Sequence, residues 1–142
     1  MTELFKNLQL HLNNNQFFKT MAGISFSVFK DKILDGSKRH TIRAPRKIPI
    51  KVGDKLYLWW KQQSPEREKL GEATCNKISD VLINIDGVNV EDKIIINEIG
   101  LDNFAIADGF DNWQQLIKFF DDAHGLPFEG VLIEWDSIKS PF

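Results

Sequence analysis

The chain has a single cysteine, Cys75, among 142 residues. No internal disulfide can form, and a thiolate-built structural zinc site is excluded on count alone. A reducing compartment, the cytoplasm, is the expectation. Long apolar runs are also missing, and nothing approaches the ~20 residues that a membrane helix needs. Met1 to Thr20 has neither the continuous apolar centre nor the small-residue cleavage site of a secretory signal. The three histidines, His11, His40 and His124, stand far apart, and no Cys or His pair has metal-ligand spacing. There is no glycine-rich phosphate loop and no Gly-x-Ser-x-Gly elbow. The expectation is therefore a protein with no metal, no cofactor and no membrane partner.

What is present is an ordinary globular composition, 42% hydrophobic and 27% charged, in a length suited to one domain. The formal charge of −2 gives no global attraction to nucleic acid, but the charge is unevenly placed. From Lys38 to Lys51 there are six basic residues (Lys38, Arg39, Arg43, Arg46, Lys47, Lys51) and no acid. From Asp80 onward thirteen acids face three lysines. The basic run reads either as a local patch or as solvated loop charges around Pro45 and Pro49.

Residues 1–20 read as an extension, a weak helix or disordered, because Asn13-Asn14-Asn15 interrupts the Leu4, Leu8, Leu12 stripe. The domain proper spans residues 21–142. Ile24 to Val28 reads as a strand, and Phe29 to Asp35 as a short helix that Gly36 ends in the left-handed conformation. His40-Thr41-Ile42-Arg43 then reads as a strand, with Thr41 and Arg43 on one face and His40 and Ile42 on the other. The clearest strand is Lys55 to Lys61. Leu56, Leu58 and Trp60 form its core face, while Tyr57 and Trp59 alternate with Lys55 and Lys61 on the second face. That second face suits base stacking and phosphate pairing, or alternatively the covering of a barrel's outer side.

Leu70 to Ile96 reads as an antiparallel meander with a turn at Asp86-Gly87 and with Cys75 as a buried structural thiol. Asp111 to His124 is the strongest helix signal, with Asp111 as N-cap, Trp113, Leu116, Ile117 and Phe120 at helical spacing, and Gly125 as the stop. Phe128 to Trp135 closes the fold as a strand. The sum is an α+β domain built on a partly closed β-barrel of about six strands, with a short early helix and a longer late one.

Gly36-Ser37-Lys38-Arg39-His40-Thr41-Ile42-Arg43 resembles the Gly-x-Lys-x-x-Thr-Ile-Arg signature of the ASCH domain family. Val52-Gly53-Asp54, Leu70-Gly71-Glu72-Ala73, Asp108-Gly109-Phe110 and Phe128 to Trp135 follow in the family's order. The resemblance implies a PUA-like barrel with RNA or a modified nucleoside as partner, bound in a cleft beside the signature turn. Small bacterial members are amidohydrolases that deacetylate N4-acetylcytidine with a lysine, a threonine and a glutamate. By motif position these roles fall on Lys38, Thr41 and Asp108, the last one methylene shorter than the family's acid. From the residues themselves, Arg43 is a ligand-contact candidate through its fork of donors, and Tyr57, Trp59 and Lys61 are candidate flanking contacts. Binding of RNA or a nucleoside is the first expectation and amidohydrolase activity the second. A protein-interaction domain using the acidic C-terminal half is the third, and the oligomeric state is left open.

Overall fold

A computed structural model of the chain describes residues 21–139. The expected extension over residues 1–20 lies outside the described residues. The elements run β1 (Met21–Phe26), α1 (Lys30–Leu34), β2 (His40–Arg43), β3 (Lys55–Trp60), β4 (Glu68–Asn84), β5 (Gly87–Val90), β6 (Lys93–Ile95), α2 (Glu98–Ala107), α3 (Trp113–His124) and β7 (Phe128–Trp135). Among the described residues the fold is mixed α+β, on a seven-stranded sheet that does not close.

One strand explains the architecture. β4 is 17 residues long and serves two neighbourhoods. Its first half pairs antiparallel with β3, which runs parallel to β1. Its second half pairs with β7 on one side and β5 on the other, and β7 carries β2. The first part of the expected meander from Leu70 to Ile96 is this single strand, bulged where it passes between partners. The following hairpin turns on Ile85-Asp86, and Gly87 is already paired in β5. A side chain at Gly87 would meet the Ile95 carbonyl at 2.6 Å.

Period-two alternation gives the sheet two cores. Ile42, Val81, Ile83 and Leu132 face α2 and α3, where Leu101, Phe104, Trp113, Leu116 and Phe120 meet them. Ile133 and Trp135 face the other way, onto Ala22, Ile24, Phe26, Leu56 and Leu58. Leu56 and Leu58 are fully buried, each contributing roughly 1.5–3 kcal/mol of transfer free energy. Cys75 is buried in this second core, and burial pushes its thiol upward.

α3 begins one residue later than its sequence signal, with Asn112 as N-cap accepting from the Gln115 amide at 2.9 Å. Asp111 contributes outside the cap: its amide donates to Gln115 Oε1 at 3.0 Å. α2 was not among the sequence expectations. Asn97 caps it by accepting from the Gly100 amide, and Leu101, Phe104 and Ala105 form its buried stripe. Exposed Ile99 and Ile106 blur that stripe in the sequence. No helix among the described residues is long and apolar enough to cross a membrane.

Candidate functional site

The signature turn is built by α1 and its stop. Gly36 takes a φ of 84°, and the Lys38 amide returns to the Lys32 carbonyl at 3.0 Å. This aims the Lys38 side chain inward, where it is 3% exposed. The opposite wall comes from the end of α2, where Asp108 is the C-cap and Gly109 has a φ of 109°. A Cβ at Gly109 would lie 2.7 Å from the Phe29 ring, so glycine lets that ring close over the turn. Phe29 itself is held at a φ of 67°, an uncommon conformation for a bulky residue, with its ring edge-on to Phe110.

Lys38 and Asp108, 70 residues apart, meet inside this frame. Lys38 Nζ donates to the His40 carbonyl at 2.8 Å, the Asp108 carbonyl at 2.6 Å and Asp108 Oδ1 at 3.2 Å. All three ammonium donors are thereby committed. The rings of Phe26 and Phe29 lie 5.7 and 5.6 Å from the same nitrogen. Burial pushes Lys38 below the ordinary lysine value, against the pull of Asp108. Burial likewise raises Asp108 to about 6, opposed by Lys38 first and then Arg43.

Thr41 and Arg43 share a face of β2, as alternation requires, and Arg43 Nε donates to Thr41 Oγ1 at 3.0 Å. The guanidinium sits 4.8 Å from the Phe26 ring centroid. Among the described residues no acceptor takes either terminal nitrogen of Arg43, and no donor reaches Asp108 Oδ2. Arg43 is half-buried and Asp108 is buried, 4% exposed. The result is an anchored donor fork and an anchored carboxylate, each with a free end.

Tyr57 and Trp59 lie on the other face of β3 from Phe26, because they alternate with Leu56 and Leu58. The Tyr57 hydroxyl bonds Met21 Sδ at 3.1 Å, and Lys69 lies over its ring. Lys61 takes a φ of 45°, pairs with Glu66 at 3.1 Å and holds its Nζ 5.4 Å from the Trp60 ring centroid. The aromatic residue of β3 on the Phe26 side is Trp60, which is half-buried and in register with Phe26.

The sequence reading passed over His40, Phe26, Phe29 and Trp60. His40 is buried, packs on Phe104 and holds Nε2 at 3.4 Å from Asp108 Oδ1. Burial and the neighbouring Lys38 push it down to about 3. Its position inside the signature was the available clue, outweighed there by its assignment to the face of apolar Ile42.

The basic segment remains exposed at Arg39, Arg46, Lys47 and Lys51, and none of these forms an ion pair among the described residues. A trough of about 690 Å³ opens elsewhere, between the β2–β3 loop and the face of β4, β5 and β7. Asp80, Glu91, Asp92 and Glu129 around it make it unsuited to a polyanion. No group of His, Cys, Asp and Glu among the described residues is placed to hold a metal ion. Compared with protein-family models, with curated proteins and with solved structures, the chain matches none.

Proposed function

We propose that this is a PUA-like domain of the ASCH type that binds single-stranded RNA or a modified nucleoside in the cleft between Arg43 and Asp108. The observation carrying the reading is the uncommitted fork of Arg43, fixed by Thr41 and the Phe26 ring near an anchored carboxylate. A donor fork near an acceptor is complementary to a base edge that presents an acceptor next to an amino group. Trp60, half-buried, supplies aromatic surface, and the exposed Arg39, Arg46, Lys47 and Lys51 supply charge for the phosphates. The test is fluorescence anisotropy with a short single-stranded RNA at rising salt. Affinity should fall with salt and drop roughly 10- to 150-fold in Arg43→Ala, the weight of charge-assisted hydrogen bonds. No binding at low salt removes the reading.

Amidohydrolysis of N4-acetylcytidine is the second reading, supported by a buried lysine pushed down and a carboxyl raised to about 6 in one site. In that mechanism Thr41 attacks the amide carbonyl as Lys38 takes its proton, protonated Asp108 gives its proton to the departing cytidine nitrogen, and water then cleaves the acetyl–Thr41 ester to release acetate. It requires the substrate to release Lys38 from one of its three acceptors and Thr41 from Arg43. For that reason binding without turnover is preferred. Cytidine release by the parent, lost in Lys38→Ala and Thr41→Ala, would reverse the order of the two.

A further inference from the structure

Of the described side chains that line the cleft, one has a buried polar atom without a partner: His40, through Nε2. The residue is 7% exposed, and its ring is held by Phe104 at 5.4 Å and by its place in β2 opposite Glu134. Nε2 faces a specific acceptor. Asp108 Oδ1 lies 3.4 Å away, within reach but out of line with the ring N–H, and the same oxygen already accepts from Lys38 at 3.2 Å. A small rotation of the ring, within its ordinary motion, would bring the N–H into line.

The charged groups around the carboxylate are Lys38 from the turn and Arg43 from β2. A third cation beside them is disfavoured, so the imidazole is neutral and meets a carboxylate oxygen with an N–H. Asp108 Oδ2, with no donor among the described residues, is left for the ligand.

We infer that His40 is a positioning residue: its Nε2–H holds Asp108 Oδ1 alongside Lys38, fixing the carboxylate so that Oδ2 stays presented to the base. The inference rests on the cleft proposed above for the identity of the ligand, but not for the His40–Asp108 bond itself.

The two are separable by experiment. Nitrogen-15 spectra of histidine-labelled protein at pH 7 report the tautomer, and carbon-13 spectra report the Asp108 titration in the parent, His40→Leu and His40→Gln. The expected result is the Nε2–H tautomer, an Asp108 midpoint that moves upward in His40→Leu, and its return in His40→Gln, whose amide restores a donor near the same place. Affinity for N4-acetylcytidine should follow, falling about tenfold in His40→Leu and recovering in His40→Gln. An Nδ1–H tautomer, or an Asp108 midpoint indifferent to His40→Leu, overturns the inference. If His40→Leu does not fold, the tautomer in the parent decides alone. Correct tautomer and titration without any nucleoside or RNA binding would sustain His40 and sink the proposed function.

Discussion

Lys38→Met is expected to destabilise the fold by about 3 to 5 kcal/mol, the cost of leaving a buried charge without its partner. The magnitude follows from exposure and geometry. Lys38 and Asp108 have side chains 3% and 5% exposed, so solvent screening gives little relief. The substitution strands Asp108 Oδ1 and deprives the His40 and Asp108 carbonyls of their donor as well. Methionine keeps most of the buried volume, so the loss reports polar chemistry rather than a cavity. Against a total of roughly 5–15 kcal/mol for a domain, such a loss moves a urea transition far. The assay is urea unfolding by circular dichroism in Lys38→Met, Asp108→Asn and the double variant. The double variant should be more stable than the sum of the single losses implies, by about 1–3 kcal/mol of coupling. A loss under about 1 kcal/mol for Lys38→Met, or strict additivity, would refute the buried pair.

The pH dependence of stability should reveal two opposed groups. His40 is pushed from 6.5 to about 3, so the unfolded chain binds its proton first and stability falls as pH drops from about 6.5 toward 3. Asp108 is raised from 3.8 to about 6, so the folded chain binds its proton first and stability grows as pH drops from about 6 to 4. The slopes offset between about pH 4 and 6. Relative to the parent, His40→Gln should therefore gain stability on acidification through that window and Asp108→Asn should lose it; thermal melts showing the reverse signs would contradict this. Gly109→Ala should cost more than about 1 kcal/mol, because the φ of 109° resists a side chain and the new Cβ would strike Phe29; an unchanged melting temperature would show that the Phe29 wall is soft. Trp60→Ala should weaken RNA binding by about 1–3 kcal/mol while Trp59→Ala leaves it unchanged, since only Trp60 shares the Phe26 face; anisotropy titrations giving the opposite ranking would move the site to the outer face of β3.

Local chemistry made parts of this molecule legible beforehand. Alternation in Leu56, Leu58 and Trp60 marked the core face of β3, and Gly36 marked the turn that throws Lys38 inward. The spacing of Trp113, Leu116 and Phe120 marked α3. The remainder depended on long-range placement. α2 buries only Leu101, Phe104 and Ala105 and carries isoleucines on its solvent side, so its periodicity is faint. β4 is one strand because it bends between two sets of partners, which no local pattern announces. Composition singled out Tyr57 and Trp59 on one face of β3, and pairing with β1 sets Phe26 on the other face beside Trp60, a placement that only the register reveals. His40 acquires polar company only because Asp108 arrives from 68 residues away in sequence.

The central claim, a base-binding cleft between Arg43 and Asp108, is tested most directly by a nitrogen-15 NMR titration of the folded protein at low salt. The ligands are a short single-stranded RNA and N4-acetylcytidine. Saturable shifts concentrated at Phe26, Arg43, Asp108 and Gly109, abolished in Arg43→Ala, are the predicted result. Resonances of those residues that stay in place with both ligands, while the protein remains folded, would contradict it.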